Sequence, residues 1–435
     1  MEGKEMYRLA QRLFPICRSL TGNGVRETLK ILQETMPNLQ IYEVPSGTRA
    51  FDWTVPDEWN IRDGFIADEQ GNKVISFRDN NLHIMGYSEP VDRIVDLQEL
   101  KRHIYVQENQ PDVIPYVTSY YKRRFGFCMS KRQRDSLRAG QYRMYIDSTL
   151  EPGFLTYGEY ILPATASGGA EQEILLSTYI CHPSMANNEL SGPCVAAALA
   201  CWLEKQPDRR YTYRFVFVPE TLGSIVYISR NLEHLKRAVV AGFNLSCVGD
   251  NRAFSYIESR RGDTLADRIA RNVLHTYVPE YIAYSYLERG SDERQYNAPG
   301  VDLPVCSICR SKFGEYPEYH TSADDLSLIS SEGLQGALDI YRKCLRGLEY
   351  NRYYRVSCLC EPQLGKRGLY PTESYKGSAD AVRDMMNLIA YADGSMDLIA
   401  ISDTIHASLE ALIPLVDKLT GAGLLEICEG QGKSQ

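Results

Sequence analysis

The N-terminal segment alternates apolar and polar residues with the period of an amphipathic helix. In EMYRLAQRLFPICRSL the apolar side chains recur at three- and four-residue intervals, which predicts a first helix. The pattern restarts after a Gly-Asn-Gly turn in TGNGVRETLKILQETM and predicts a second helix. The run LQIYEVPSG then predicts a strand.

The pattern changes at about Ala50. Up to about Val106 the chain is aromatic and polar, and short alternating apolar runs are separated by turn sequences such as DEQGN and RDNN. Such runs are typical of short β-strands joined by tight turns. We therefore expect residues 48–110 to form an inserted β-rich domain.

From about Ile114 onward, predicted strands alternate with predicted helices. The strands are QYRMYIDST, GEYILPATA, EILLSTYICHP, YTYRFVFVPE, VVAGFNLSCVGD and VDLPVCSICR, and amphipathic or small-residue helices separate the later ones. This alternation predicts an α/β fold, with a mostly parallel sheet covered by helices on both faces. We expect residues 1–47 and 111–355 to form this domain.

The last part of the chain has a third pattern of apolar and polar residues. Beyond about Glu361 the pattern indicates three helices separated by turns, followed by the short strand GLLEI. This order is typical of a winged helix, which we assign to residues 361–430. The helix expected to be third, SLEALIPLVDKLTGA, has Lys418 as its one basic residue, whereas a DNA reader needs several.

Composition limits the partners. The formal net charge is -8, so nothing indicates a general attraction to nucleic acid or acidic lipid. Charges interrupt each apolar run at the N-terminus, and no later stretch reaches the roughly 18 apolar residues of a membrane span. We expect neither nucleic acid nor a membrane as a partner. The winged helix or the insert would instead support a protein contact such as a homo-oligomer.

The 12 cysteines are scattered rather than arranged as a dense framework. This distribution predicts a reduced, cytoplasmic protein with free thiols. Cys306 and Cys309 form a C-x-x-C pair, and Cys358 and Cys360 form C-x-C, whereas a zinc ribbon needs two C-x-x-C knuckles. Because DLPVCSICRSKFG has the pattern of a buried strand, we interpret its cysteines as small hydrophobic residues.

Polar residues cluster where the predicted strands end, which is where this type of sheet binds its ligands. The candidates are His182, Asn188 and Glu189 in CHPSMANNELSG, Glu220 in VPETLGS, Asp250 in SCVGDNRAFSY, Asp292 and Arg294 in RGSDERQY, and His320, Asp324 and Asp325 in EYPEYHTSADDLS. Two imidazoles and a carboxylate are a common donor set for catalytic zinc, with the fourth position left to water.

Each candidate also has a purely structural interpretation. A histidine at a strand end is commonly a hydrogen-bonded polar residue, and Glu189 can cap the following helix. Glu220 can be a solvated loop acid, and Asp324 and Asp325 can stabilise the first turn of a helix. The clusters recur within one α/β domain of a chain with only seven histidines, so the pattern alone leaves both interpretations open.

The order of these clusters resembles that of the zinc aminopeptidases, which include bacterial leucyl aminopeptidases. More closely, FPICRSLTGNGVRETL, YICHPSMANNELSGP, EYHTSADDL and EPQLGKRGLYP resemble a bacterial family of aminopeptidase-like proteins of unknown function. That family has a nested β-insert, a C-terminal winged helix and an association with polysaccharide biosynthesis. The resemblance covers nearly the whole chain and implies a zinc aminopeptidase-like fold.

The resemblance also implies roles for individual residues. His182 and His320 match the histidine ligands of the first and second zinc ions. Glu220 matches the general base, and Asp292 matches the aspartate of a late Ser-Asp pair. The resemblance assigns no role to Arg294, which could stabilise an oxyanion, bind a substrate carboxylate or form a surface ion pair.

Three positions depart from the pattern of the two-zinc aminopeptidases. Asn188 stands where the bridging aspartate is expected, with Glu189 one residue later. Thr221 and Ser246 stand where two further carboxylate ligands are expected. The lost negative charge predicts one Zn²⁺ rather than two, held by His182, His320 and either Asn188 or Glu189. Charge favours Glu189, and alignment favours Asn188.

We therefore expect a zinc-dependent hydrolase of amide bonds, with Glu220 as base and a small peptide-like or acylated substrate. The lost carboxylates leave a second hypothesis, a catalytically degenerate peptidase that binds a ligand or a protein. A DNA-binding regulator is a third, which the acidic helix near Lys418 disfavours.

Overall fold

The computed structural model describes residues 1–166, 171–369 and 378–429. The helices are α1 Gly3–Leu13, α2 Asn23–Thr35, α3 Leu97–Arg102, α4 Lys131–Asp135, α5 Ser191–Glu204, α6 Leu222–Ala238, α7 Leu265–Tyr277, α8 Glu293–Tyr296, α9 Ser331–Tyr350, α10 Ser378–Tyr391, α11 Leu398–Ile405 and α12 Leu409–Gly421. The strands are β1 Gln40–Pro45, β2 Arg49–Ala50, β3 Trp53–Thr54, β4 Glu58–Ala67, β5 Lys73–Ser76, β6 Val91–Asp96, β7 Ile104–Tyr105, β8 Phe127–Cys128, β9 Gln141–Glu151, β10 Phe154–Leu162, β11 Glu173–Tyr179, β12 Thr212–Val218, β13 Val239–Asn244, β14 Ser255–Ile257, β15 Ile282–Tyr284, β16 Val305–Cys309, β17 Tyr353–Val356, β18 Asp393–Asp397 and β19 Leu425–Cys428. The chain divides into two compact units, residues 1–266 with 282–338 and residues 267–281 with 339–435.

The first unit contains an eight-stranded mixed sheet in the order β1-β10-β12-β11-β13-β16-β14-β15. Its centre is parallel, because β12, β11, β13 and β16 run in one direction. β1, β10 and β14 join by antiparallel pairing. Every residue of β11 and β12 is buried, as expected for strands covered on both faces. The predicted α/β fold class is confirmed.

The two N-terminal helices form where the periodicity predicts them, and local chemistry sets their ends. α1 stops at Leu13, two residues before Pro15, which has no N–H to continue the helical hydrogen bonds. α2 begins after Gly22, whose φ of 97° is strained for other residues. α5 is buried along almost its whole length, which its small residues allow.

The inserted unit is larger than expected. A four-stranded antiparallel sheet has the order β5-β4-β9-β6, and β9 pairs with β4 from Glu58↔Glu151 to Ala67↔Arg143. The segment QYRMYIDST therefore belongs to this sheet and not to the α/β domain, so the expected boundary at residue 110 is too early. An alternating strand pattern specifies one buried face but not which neighbour the strand pairs with.

The second unit contains the winged helix. The strands β18, β17 and β19 form an antiparallel sheet, and α11 and α12 form the helix-turn-helix pair. Asp397 caps α11, because its carboxylate accepts a hydrogen bond from the N–H of Ala400. The sheet begins at β17, before the expected boundary at Glu361.

None of the described helices is by itself long and apolar enough to cross a membrane. By length and composition alone, the bent pair of helices Leu398–Ile405 and Leu409–Gly421 could together form a membrane span. Cys306 and Cys309 lie buried in β16, in agreement with their interpretation as core residues.

Candidate metal centre

Two predicted site residues meet because their strands are parallel neighbours. β11 leads to His182 and β12 leads to Glu220, and the two strands end in register at Tyr179↔Val218. The carboxyl ends of parallel neighbours lie at one edge of a sheet. As a result, the Nε2 atom of His182 lies 3.5 Å from the Oε2 atom of Glu220.

Glu189 contacts the other nitrogen of the same imidazole. Its Oε2 atom lies 2.7 Å from Nδ1 of His182, and the carboxylate is 1% exposed. Glu189 belongs to the single π-helical turn Ala186–Leu190, a geometry that is found mostly at functional sites. Burial acts to lower the pKa of His182, but Cys181 and Glu189 more than offset it, so the net shift is upward.

Arg18 lies behind Glu189 and is also buried. Its Nε atom donates to the carbonyl oxygen of His182 at 3.0 Å and lies 3.8 Å from Oε1 of Glu189. The sequence analysis did not identify Arg18 as part of the site. Its signal was the motif FPICRSL, which supported a resemblance but gave no chemical role.

Asn188 is held within the protein interior. Its Oδ1 atom accepts hydrogen bonds from the Tyr179 hydroxyl at 2.7 Å and from the Cys247 thiol at 3.7 Å. Its N–H donates to Asp324, which also accepts from the N–H of Asn187. Asp324 therefore fixes the loop between β11 and α5. Burial raises its pKa to about 6, even though these hydrogen bonds oppose the shift.

The remaining acids of the sequence clusters have structural partners. Asp250 accepts from the side chain of Asn187 and from both the N–H and the hydroxyl of Ser311. Asp325 accepts from Ser327 in an exposed turn. Neither acid lines the pocket described below. For these two residues the structural interpretation is the one that the contacts support.

His320 approaches His182 from a separate loop. The two ring centroids are 5.1 Å apart, and the ring of Tyr116 lies 5.1 Å from the first and 5.3 Å from the second. Tyr319 stacks on His320 at 3.9 Å. The buried Nε2 atom of His320 has no hydrogen-bond partner within the described part of the chain.

Burial and the neighbouring His182 lower the pKa of His320 to about 3. The imidazole is therefore neutral at physiological pH, which is the form that binds metals. The segment leading to Tyr116 holds the loop, because the Tyr116 N–H donates to the His320 carbonyl at 2.9 Å. This segment lies between strands of the insert sheet, so the insert contributes directly to the site.

Arg294 reaches the residue that follows Glu220. Its guanidinium donates to Oγ1 of Thr221 at 2.6 Å, while the N–H of Thr221 donates to Asp292 at 2.7 Å. Burial and the nearby Glu220 raise the pKa of Asp292 to about 8. Burial also raises the pKa of Glu220, although His182 and Arg294 oppose it.

Backbone strain is concentrated around these residues. Ser184, Thr221, Cys247 and His320 all have positive φ angles, between 45° and 64°. Residues other than glycine adopt this region at a cost, and they do so most often at functional sites. All four residues lie in loops at the carboxyl ends of strands or next to them.

A pocket of about 400 Å³ opens at this edge of the sheet. His182, Glu220, His320 and Arg294 line it, whereas Asn188 and Glu189 do not. Its other walls are mainly apolar and aromatic, and many belong to the insert or to the segments beside it: Leu20, Trp53, Tyr116, Thr118, Tyr120, Tyr121, Cys181, Thr221 and Leu222. The sequence analysis did not identify these rings as part of the site.

The charges at this edge of the sheet disfavour a second metal ion. Asn188 is neutral and bonded to Tyr179, and the guanidinium of Arg294 occupies the space beside Thr221. A cation at this position would repel a second dication rather than neutralise it.

His182 has possible metal donors on both of its sides. Cys181, His182 and Glu189 place three donor atoms within 4.8 Å of one another, but Arg18 lies beside that group. The opposite side has Glu220, which pairs with His182 among the described residues and is also affected by the charge of Arg294. It offers Nε2 of His182, Glu220 and the free Nε2 of His320, and it opens to the pocket.

Comparisons with known proteins identify the family and the fold of the chain. A family described as a domain of unknown function (DUF4910) matches residues 7–351, and a winged helix-turn-helix family matches residues 351–427. A Clostridium acetobutylicum protein is 46% identical over 369 residues, which are 85% of this chain and 83% of that protein. It carries the provisional name of a polysaccharide biosynthesis protein with an aminopeptidase-like domain.

Solved structures show the same fold. A crystal structure from Clostridium acetobutylicum at 2.37 Å, provisionally described as a peptidase, has a TM-score of 0.91 and 41% identity, covering 98% of this chain and 96% of that one. A zinc aminopeptidase from Bacillus subtilis has a TM-score of 0.59 and 14% identity, covering 80% and 95%. The second likeness shows the fold alone. This chain belongs to the DUF4910 family of aminopeptidase-like proteins and carries a C-terminal winged helix-turn-helix.

Proposed function

We propose that the protein hydrolyses amide bonds with a single zinc ion held by His182, His320 and one oxygen of Glu220. The observation that carries this proposal is the arrangement of unbonded donors in the pocket. Nε2 of His182 lies 3.5 Å from Glu220, the ring centroid of His320 lies 5.1 Å from that of His182, and the buried Nε2 atom of His320 has no partner among the described residues. Two imidazoles with one carboxylate are a donor set of catalytic zinc sites.

Glu220 replaces the Asn188–Glu189 pair as the third donor in this proposal. Asn188 is bonded to Tyr179, and Glu189 faces Nδ1 rather than Nε2 of His182. A carboxylate that accepts from Nδ1 fixes the orientation of a metal-binding imidazole and increases its basicity. We therefore assign Glu189 the role of orienting His182.

A bound zinc ion would polarise the scissile carbonyl and lower the pKa of water in its open position. Glu220 would accept a proton from the attacking water through its second oxygen and deliver it to the leaving amine. The aromatic walls of the pocket would exclude bulk water from the reacting bond.

Metal analysis and one substitution test the proposal. The purified chain is expected to hold one zinc per molecule, and chelation is expected to abolish hydrolysis until zinc is restored. In Glu220→Gln, turnover per bound zinc is expected to fall about 100-fold or more, since the proton acceptor is lost. Asp325→Asn is the matched control, because this acid lies in an exposed turn outside the pocket. A protein that binds no zinc, and gains no hydrolysis from added zinc, would refute the proposal.

A second candidate is a ligand-binding protein that has lost catalysis. Asn188 and Thr221, in place of the expected carboxylates, favour it. The same variant separates the two functions, because a protein that only binds would show no turnover to lose on Glu220→Gln. We also propose that the winged helix makes a protein contact. The two acids of α12 already have hydrogen-bond partners. Glu410 accepts from Lys343 and Tyr277, and Asp417 accepts from Tyr350.

A further inference from the structure

Arg294 brings an uncompensated positive charge into the pocket. Its guanidinium donates to Thr221, and its buried Nε atom has no partner among the described residues. It forms no ion pair in that part of the chain, although Glu220 and Asp292 are near enough to feel its charge. A planar guanidinium with free donors matches the two oxygens of a carboxylate.

The negative charge that lines the pocket already interacts with a histidine. Glu220 is the single carboxylate among the described residues that line the pocket, and it lies beside His182. To bind a substrate with a free α-ammonium group, the pocket would need a further carboxylate that pairs with that group. The described walls offer none for this purpose, and they offer a free guanidinium instead.

The wall opposite the polar residues is aromatic. Trp53, Tyr116, Tyr120 and Tyr121 line it, and the rings of Trp53 and Tyr121 are 6.4 Å apart. Flat or apolar acyl groups pack well on such rings. A pocket of about 400 Å³ is within the size range of small-molecule sites, roughly 300–1,000 Å³.

We infer that the substrate is an N-acylated amino acid or similar acylated amine, whose carboxylate binds Arg294 and whose acyl group packs on the aromatic wall. This inference rests on the proposed function for the chemical step. Hydrolysis breaks the amide C–N bond and adds the oxygen of water to the acyl carbon. Both water protons end on the amine, one carried by Glu220 and the other released by the new carboxylic acid, so benzoylglycine gives benzoate and glycine.

A binding experiment tests the recognition separately from catalysis. Benzoylglycine and its neutral amide, benzoylglycinamide, are titrated into the whole, metal-free protein, and the fluorescence of Trp53 in the pocket reports binding. Benzoylglycine is expected to bind about tenfold or more tightly than the amide. Arg294→Gln is expected to remove this preference, and Arg294→Lys to keep part of it. Arg289→Gln is the control, because Arg289 packs on Tyr286 and does not line the pocket.

Hydrolysis of the same compounds by the zinc-loaded protein completes the test. Equal binding of the acid and the amide to the unsubstituted protein would overturn the inference. Hydrolysis of leucine p-nitroanilide, a free amine, that is unaffected by Arg294→Gln would also overturn it while supporting the hydrolase. Preferential binding of benzoylglycine by a protein that hydrolyses neither compound with zinc would support the recognition and contradict the proposed function.

Discussion

The buried pair of Arg18 and Glu189 predicts a large stability effect from one substitution. Arg18 is 1% exposed, lies 3.8 Å from Glu189 and donates to the carbonyl oxygens of His182 and Leu13 at 3.0 and 2.8 Å. Arg18→Met retains a long apolar chain but removes the cation and its donors. Breaking a buried pair costs about 3–5 kcal/mol. Each buried carbonyl left without a partner costs about 1–3 kcal/mol. We expect a net loss of about 3–5 kcal/mol, because His182 still compensates part of the charge of Glu189.

Tryptophan fluorescence during urea unfolding measures this loss of stability in the first unit, which contains both residues. All three tryptophans, Trp53, Trp59 and Trp202, lie in the first unit, so the winged helix does not contribute to the signal. The double variant Arg18→Met/Glu189→Gln should recover part of the loss, since no buried charge is then unpaired. Arg12→Met is the control, because its ion pair with Glu34 is exposed. An effect of Arg18→Met no larger than that of Arg12→Met would refute the reasoning.

Three further predictions concern other parts of the chain. Asp397→Asn should preserve the cap of α11 but lose the charge pair with Arg268, whereas Asp397→Ala should cost about 1 kcal/mol more, as measured by calorimetry. Burial raises the pKa of Asp397, but hydrogen bonds lower it further, so the stability it contributes is present above pH about 4 and is lost as the pH falls through its folded-state pKa. Gly24→Ala should destabilise the first unit by about 1–3 kcal/mol in urea unfolding, because its Cβ would lie 2.0 Å from the carbonyl oxygen of Cys17, whereas Gly365→Ala meets no atom within 4 Å. Fluorescence anisotropy should show no tight, salt-sensitive binding to duplex DNA, and such binding would contradict the protein-contact role of the winged helix.

The sequence was most informative about site residues that follow strands of the parallel part of the sheet. The apolar runs of β11 and β12 predicted that His182 and Glu220 follow strands of one mostly parallel sheet, and the pairing of these two strands in the structure brings the residues together. The placement of β9 could not be obtained in this way. Its alternation is compatible with either sheet, and only the pairing with β4 decides between them.

The sequence could not indicate which carboxylate would share an ion with His182, for a different reason. Whether Glu189 or Glu220 shares an ion with His182 depends on which ring nitrogen each carboxylate faces. That is set by a π-helical turn and by loops with positive φ angles, neither of which has a reliable residue pattern. Arg18 was missed for a similar reason, because a buried arginine is identified by its contacts and not by its neighbours in sequence.

The departures from the two-zinc pattern are consistent with one another in their charge. Asn188 removes one negative charge, Thr221 removes another, and Arg294 adds a positive charge against Thr221. Two unit charges about 4 Å apart interact by about 4 kcal/mol at an effective dielectric constant of about 20, and a divalent ion doubles this value. Restoring one carboxylate would therefore not restore a second metal site while Arg294 remains. The same guanidinium that would repel a second cation would attract an anion, so the proposed single zinc ion and the proposed binding of a substrate carboxylate would have one physical cause.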